Sequence, residues 1–284
     1  MTYEELWRKL TPIYGQGEAK AIARYVLDVR FGMSATDVYC GKVTQLTADE
    51  SRELGEIAAR LMTAEPVQYV LGRADFHCRE FRVAPGVLIP RPETEELVAM
   101  IVRDAAGESL SPAILDIGTG SGCIAVTLAL DIPGAAVTAW DISCEALTIA
   151  GRNARELGAD VLFERRDALN PPDDNSKYDI IVSNPPYICD CERAAMERNV
   201  LDYEPHTALF VPDDNPLKFY RAIALYAVNA LRPGGLLYFE INPLYSDELA
   251  AMLRDMGFCR VETVKDSCGK ERFAVAARCE AAVK

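Results

Sequence analysis

The segment Ile114-Leu-Asp-Ile-Gly118-Thr-Gly120-Ser-Gly122-Cys-Ile-Ala125 leaves this chain few folds to choose from. An apolar strand runs into a loop with glycine at alternate positions, and the loop runs straight into an apolar helix. Glycine permits φ > 0 and carries no Cβ, so the chain can turn sharply and a ligand can lie against its backbone. The helix behind the loop offers N–H groups without intrahelical partners. A short apolar strand without polar alternation is buried on both faces, which suits a parallel sheet covered by helices. From about residue 93 onward strand and helix patterns alternate, as such a sheet requires. Further strands are predicted over Ala136–Ile142, Val161–Asp167, Tyr178–Ser183 and Leu236–Ile241. Arg260–Lys265 and Phe273–Arg278 close the pattern, paired around Ser267-Cys-Gly-Lys270.

The loop is not a dinucleotide fingerprint, because the position three after Gly120 is Cys123 where glycine is needed. Yet the next strand ends in Asp141, about twenty residues past the loop, where an acid would grip ribose hydroxyls. The strand after it ends in Asp167. Tyr178–Ser183 then stops at Asn184-Pro-Pro-Tyr187. Neither proline can donate a backbone hydrogen bond, and each restricts the residue before it. The Asn184 side chain and the neighbouring carbonyls are thereby held stiffly at the carboxyl end of a central strand, the edge at which open α/β sheets bind ligands. Rigid acceptors beside an aromatic ring suit a planar NH2 group. Taken singly, each acid reads as a helix cap and the prolines as a turn. In this order they predict a nucleoside site on a doubly wound sheet.

Ahead of this region, residues 1–72 read as short helices over Tyr3–Leu10, Gly17–Arg30, Ser34–Tyr39 and Ala48–Thr63. Thr47-Ala-Asp-Glu50 is a capping box in sequence. Residues 73–92 read as a hairpin linker, with apolar Phe76, Phe81 and Val83 before Pro85-Gly86. The expected organisation is a helical domain at 1–72, the linker at 73–92 and the α/β domain at 93–284. Residues 1–75 hold eleven acids and nine bases, so −11 of the net charge of −13 falls on the remainder. That excess argues against a broad phosphate-binding surface and is compatible with a basic protein partner. The nine cysteines are odd in number and form no Cys-x-x-Cys pair, so buried free thiols are expected rather than a disulfide framework or a zinc site. With only His77 and His206 present, no metal is expected. The start Met1-Thr-Tyr-Glu-Glu-Leu-Trp-Arg has no apolar signal core and no run is long enough to span a membrane, which points to the cytoplasm.

The glycine loop and the acid on the second strand resemble the class I S-adenosylmethionine methyltransferases, and Asn-Pro-Pro-Tyr resembles their amino-methylating branch. Three segments together, Glu65-Pro-Val-Gln-Tyr-Val-Leu-Gly72, Val87-Leu-Ile-Pro-Arg-Pro-Glu-Thr-Glu95 and Asn184-Pro-Pro-Tyr187, are similar to the release factor glutamine methyltransferases across essentially the whole chain. The resemblance implies a Rossmann-like, mostly parallel sheet carrying one antiparallel strand, with an N-terminal helical domain. It implies S-adenosylmethionine as methyl donor and the glutamine amide of a Gly-Gly-Gln loop in class 1 peptide-chain release factors as acceptor, with no direct nucleic-acid or membrane partner.

Carried onto this sequence, the resemblance makes Asn184, Pro185 and Tyr187 the catalytic group, with Pro186 completing the substrate site. The Asn184 side-chain oxygen and the Pro185 carbonyl would take the two amide N–H groups, and Tyr187 would wall the amide plane. The donor would lie on Asp116, Gly118, Thr119, Gly120, Ser121 and Gly122, with Asp141 on the ribose, Asp167 and Ala168 on the adenine, and Asn184 reaching the reacting end. Arg91 and Glu93 would order the segment over the site. The chain departs from the family pattern in two loops. Asn242-Pro243 stands where glycine usually follows the Phe239-Glu-Ile241 strand, and Val211–Pro216 replaces a glycine-rich turn. Competing readings are the ribosomal protein L3 glutamine methyltransferases, which usually differ at Arg91-Pro-Glu-Thr94, an adenine-N6 nucleic-acid methyltransferase, and a non-catalytic S-adenosylmethionine-binding scaffold.

Overall fold

The computed structural model describes residues 1–106 and 111–279. The chain divides into two compact units, one of Met1–Arg73 with Met196–Tyr203 and one of Ala74–Ala195 with Glu204–Lys284.

The first unit is helical. Helix α1 (Tyr3–Phe31) opens with a capping box between Thr2 and Glu5 and leaves helical geometry once, at Gly15, where φ is 72°. The two helices expected over Tyr3–Leu10 and Gly17–Arg30 are its halves, joined through that glycine. Helix α2 (Ala35–Tyr39) is capped by Ser34 with Asp37, and α3 (Ala48–Leu61) by Thr47 with Glu50. These boxes satisfy N–H groups that a helix start otherwise leaves without partners. Helix α4 (Val67–Leu71) was not evident in the sequence, being a single turn. Leu6, Leu10, Leu27, Leu54 and Leu61 are fully buried between these helices. The distant α8 (Arg198–Tyr203) joins the unit through Tyr203, whose hydroxyl donates to the Thr63 carbonyl at 2.9 Å.

In the second unit β1 (Arg73–Phe76) and β2 (Arg79–Arg82) form the expected hairpin. Its turn residues His77 and Cys78 have φ of 47° and 59°, the left-handed pair that matches the twist of a two-residue hairpin turn. Phe76 and Phe81 meet edge to face at 5.8 Å. The following elements are α5 (Pro92–Ala105), β3 (Ala113–Ile117), α6 (Cys123–Asp131), β4 (Ala136–Asp141), α7 (Cys144–Leu157), β5 (Val161–Arg165) and β6 (Tyr178–Ser183). After the two-residue strands β7 (Ile188–Cys189) and β8 (Phe210–Val211) come α9 (Lys218–Ala230), β9 (Leu231–Glu240), α10 (Ser246–Asp255), β10 (Phe258–Lys265) and β11 (Glu271–Arg278). Arg79 anchors the hairpin on Asp131 at the end of α6, at 2.5 and 3.0 Å.

Seven strands make one sheet in the order β10-β11-β9-β6-β3-β4-β5. Only β11 runs against the rest, pairing antiparallel with β9 and β10. Alternate residues of each strand enter two cores. Leu115, Ile181, Leu237 and Phe239 face Tyr220, Ile223, Leu249 and Leu253 of α9 and α10, while Ile114, Ile180, Val182 and Tyr238 face Leu97, Ile101, Val126 and Leu128 of α5 and α6. Both faces are covered, which is why the central strands carry no polar alternation. Register aligns Ile117 with Trp140 and with Ser183, and Ser183 with Phe239, so four strands end side by side.

The cysteines depart from expectation. Cys259 and Cys279 are joined as a disulfide across the β10–β11 pair, with Cα atoms 5.2 Å apart. Cys40, Cys78, Cys144, Cys191 and Cys268 are exposed thiols, and only Cys123 and Cys189 are buried free thiols. Residues twenty apart in sequence become partners because the antiparallel hairpin sets them opposite one another, which spacing alone cannot reveal.

Gly122 makes the closest approach in the glycine loop. Its φ is 82°, and an added Cβ would sit 2.9 Å from the Ala150 Cβ of α7. Gly122→Ala combines a left-handed side chain with overpacking, each costing about 1–3 kcal/mol. It should lower unfolding free energy by roughly 2–4 kcal/mol in urea titrations; an unchanged midpoint would show that α7 yields freely.

Candidate active site

Four adjacent strand ends build one site. β3 supplies Asp116 and the Gly118–Gly122 loop, β4 supplies Asp141, β6 supplies Asn184, and β9 supplies Glu240. The loop is held by backbone bonds from Gly118 and Thr119 N–H to the Trp140 carbonyl, both at 2.9 Å. Asn153 of α7, nearly fully buried, braces it from behind. Its Nδ2 donates to the Ser121 carbonyl at 2.8 Å and to the Arg82 carbonyl at 3.0 Å, while its Oδ1 accepts from Arg82 N–H at 2.8 Å. One side chain thus ties the glycine loop to the hairpin.

Asp141 is already engaged at both oxygens, accepting from Gly120 N–H and from Ser143 N–H at 2.9 Å each. Each carboxylate oxygen still has capacity for a hydroxyl donor. Asp116 is different: it is completely buried and, among the described residues, neither oxygen has a hydrogen-bond partner. The buried hydroxyls of Thr119 and Ser121 also lack partners. Native buried polar groups are nearly always paired, so three orphans around one loop mark a place for a polar ligand. At Gly118 and Gly120, with φ of 79° and 55°, an added Cβ would meet nothing within 4 Å. The space beside the loop is open.

Asp167 lies beyond β5, beside the Asp141 strand end, where Arg166 N–H donates to the Asp141 carbonyl at 3.0 Å. Its carboxylate closes its own turn, accepting from Leu169 N–H at 2.9 Å and Asn170 Nδ2 at 2.8 Å. Ala168 packs against the core on the α9 side.

At the β6 end Pro185 is buried, whereas Asn184, Pro186 and Tyr187 are half-buried. Asn184 Nδ2 donates to the Thr94 hydroxyl at 3.3 Å. The Thr94 hydroxyl donates to Glu240 Oε2 at 2.6 Å, and the Tyr187 hydroxyl donates to Glu240 Oε1 at 3.0 Å. Thr94 and Glu240 are buried. Burial pushes the Tyr187 phenol well above its ordinary pKa, with the neighbouring Glu240 charge adding to the effect, so it stays a donor.

Arg91, at the N-cap of α5, pairs with buried Glu204 at 2.6 Å, and Glu204 also accepts from Ile89 N–H at 3.1 Å. The segment leading into α5 is fixed by that carboxylate. Asn242, where the family pattern has glycine, is a brace. Its Nδ2 donates to the Tyr187 carbonyl at 3.1 Å and to Glu192 at 2.9 Å, and its Oδ1 accepts from Leu244 N–H at 3.0 Å. The other departing loop contributes Val211 to the β7–β8 pair and Asp213, which accepts from Cys191 N–H at 2.9 Å. Asn242 therefore holds the backbone at Tyr187, and the Val211–Pro216 loop holds the β7 segment that follows it.

A family model described as the PrmC N-terminal domain matches residues 9–72, and one described as the methyltransferase small domain matches residues 94–201. A release factor glutamine methyltransferase of Bacteroides thetaiotaomicron is 49% identical over 272 residues, covering 95% of this chain and 97% of that protein. This chain belongs to the release factor glutamine methyltransferase family. A second family member, from Flavobacterium psychrophilum, is 38% identical over 266 residues and 93% of each chain. A solved methyltransferase from Pyrococcus furiosus shares the fold, with a TM-score of 0.51 at 17% identity over 70% of this chain and 88% of that one. The chain is an enzyme with a methyltransferase fold. Among the described residues no helix is long and apolar enough to cross a membrane.

The sequence does not mark Thr94, Glu240 or Asn153 as site residues, and it marks Asn242 only as a departure from the family pattern, without its role as a brace. Thr94 lies within the Arg91–Glu95 segment, but nothing local marks it as a partner of Asn184 and Glu240. Glu240 had a usable signal, an acid inside the apolar strand Leu236–Ile241, since such a residue is almost never fully buried without partners.

Burial is the main cause that pushes the Asp116 carboxyl up to about 7, and the nearby Asp141 charge adds to it. The folded protein then holds a proton that the unfolded chain releases near its usual pKa of about 4. Stability should fall as pH rises between those values, by about 1.4 kcal/mol per unit, and level off above about 7. Asp116→Asn removes the ionisation. The difference in unfolding free energy between variant and wild type, measured without ligand by urea titration, should grow in the variant's favour across that window. A difference independent of pH would place the Asp116 pKa in the ordinary range.

Proposed function

We propose that this chain methylates the side-chain amide nitrogen, N5, of the glutamine in the Gly-Gly-Gln loop of class 1 peptide-chain release factors, with S-adenosylmethionine as donor. The observation that carries the reading is Asn184 at the end of β6, with Nδ2 committed to Thr94 and Oδ1 turned away from that partner. An amide nitrogen is a poor nucleophile because its lone pair is shared with its carbonyl. Two fixed acceptors, Asn184 Oδ1 and the Pro185 carbonyl, would hold its two N–H groups and favour rehybridisation towards the incoming methyl group. They would also stabilise the positive charge that develops on that nitrogen. Tyr187, its hydroxyl held by Glu240, offers a ring of fixed orientation against the amide plane.

The donor fits the orphaned polar groups and the open space at the glycine loop. Asp116, Thr119 and Ser121 would hold its charged amino-acid end against Gly118, Gly120 and Gly122. Asp141 would take the ribose hydroxyls with the capacity its two backbone bonds leave. Asp167 and Ala168 would border the adenine. When bound, S-adenosylmethionine supplies a methyl group already activated by its sulfonium, so positioning rather than acid–base chemistry provides much of the acceleration. Residues 1–72 are read as the domain that grips the release factor, with residues 73–92 leading to the catalytic domain at 93–284. The acidic excess suits a basic protein partner rather than nucleic acid, and a translation factor as substrate would put the enzyme in the cytoplasm.

Mass spectrometry of release factors from cells with and without the protein should show one added methyl group on the Gly-Gly-Gln glutamine only when it is present. Methylation elsewhere, or none, would refute the substrate. In single-turnover kinetics with both substrates saturating, Asn184→Ala should slow transfer ~100-fold or more, the usual cost of a preorganised polar contact, with little change in release-factor affinity. A near-normal rate would reduce Asn184 to a strand cap.

A further inference from the structure

We propose that Glu240, acting through Thr94, is a positioning residue that decides which end of the Asn184 side-chain amide faces the substrate. The inference deepens the reading above and rests on Asn184 being the amide acceptor.

The argument is a count of protons. A side-chain amide has two ends of similar shape, of which only the oxygen can accept the N–H of an incoming glutamine. Nothing in the shape of Asn184 selects that end. Thr94 has one hydroxyl proton, and Glu240 Oε2 lies 2.6 Å away with no proton to give when ionised. The hydroxyl therefore donates to the carboxylate and turns a lone pair towards Asn184. Only the Asn184 NH2 can satisfy that lone pair, which is the arrangement seen at 3.3 Å. The oxygen is left facing the other way. Buried carboxylate, hydroxyl and amide thus form a chain whose polarity is set at its Glu240 end.

Glu240 is held for this task on every side. Tyr187 donates to its second oxygen at 3.0 Å, and Tyr220 of α9 donates to its backbone carbonyl at 3.0 Å. Burial raises the Glu240 pKa overall and Glu93 of α5 adds to it, while the Thr94 and Tyr187 hydroxyls and Arg272 of β11 favour its ionised form. Cys123 of α6 also faces its charge. A carboxylate with two hydroxyl donors polarises both towards itself. Protonation, or replacement by glutamine, places a donor opposite one of the two hydroxyls. If that hydroxyl is Thr94, its proton turns to Asn184 and draws the amide oxygen inward, presenting NH2 to the substrate N–H. If it is Tyr187, the ring loses its acceptor.

The test uses the full chain with S-adenosylmethionine and a class 1 release factor, measuring single-turnover rate, both dissociation constants and thermal unfolding. Thr94→Val and Glu240→Gln should each slow transfer at least ~10-fold with dissociation constants near wild type, while Thr94→Ser, which keeps the hydroxyl, restores most of the rate. Because Thr94 acts through Asn184, Thr94→Val should add nothing to Asn184→Ala, whereas independent effects would multiply. Wild-type rate should also decline as falling pH protonates Glu240, and Glu240→Gln should lose that limb. Where Thr94→Val does not fold, Thr94→Ala, which admits water to Glu240, takes its place in the same cycle. A slow Asn184→Ala beside a wild-type rate in the Thr94 variant would overturn the relay and leave the Asn184 reading intact. Multiplying effects in the double variant would also overturn it, since Thr94 would then act on packing alone. A normal rate in Asn184→Ala would defeat the underlying reading itself.

Discussion

The parallel pairing of β6 between β3 and β9 is the constraint on which the site depends. Ile117, Ser183 and Phe239 stand in one row, and the buried Ser183 hydroxyl donates to the Ile117 carbonyl at 2.6 Å. A slip of one residue in that register would turn alternate side chains to the opposite face. It would also pull Asn184 away from the glycine loop on one side and from Glu240 on the other. Helices on both faces make such a slip expensive, because every inward side chain of the central strands is committed to one of two cores. The precision of the site is therefore inherited from the sheet, with the loops supplying chemistry on top of it.

The buried acids at this edge serve different ends. Asp116 is deeply buried with no partner, a state that costs stability and that a cationic ligand group would relieve. Glu240 is as deeply buried but fully engaged, accepting from Thr94 and Tyr187. Glu204 is engaged in the same way with Arg91 and the Ile89 backbone. An unpaired buried carboxylate costs stability, whereas a fully hydrogen-bonded one fixes the geometry of the groups around it. Both departures from the family pattern fall on the geometric side. The Asn242 side chain donates to the backbone carbonyl of Tyr187, and the Asp213 side chain accepts from the backbone N–H of Cys191.

Much of this was legible before any coordinates. The alternation of apolar strands and helices, the antiparallel closing hairpin and the capping boxes follow from local rules, because burial on both faces, turn chemistry and helix ends leave marks within a few residues. The Gly118–Gly122 loop, Asp141 and Asn184-Pro-Pro-Tyr187 were visible for the same reason: each is a short motif at the end of a strand. Their order along the chain also anticipated that these strand ends would be neighbours, since strand order in a doubly wound sheet assigns each strand end its neighbour.

What sequence could not supply were contacts between residues far apart in the chain. Thr94 and Glu240 lie 146 positions apart, Asn153 reaches Arg82 across 71, and Cys259 meets Cys279 only through the β10–β11 register. No local pattern records such pairs, because each depends on which strands become neighbours and in what register. The sequence by itself determined the elements, the sheet class and the motifs that carry chemistry, because propensity and burial act locally. The tertiary structure alone decided that a threonine in a helix start would bridge a glutamate in a strand to Asn184 by hydrogen bonds, because only packing brings three separate strand and helix ends within reach of one another.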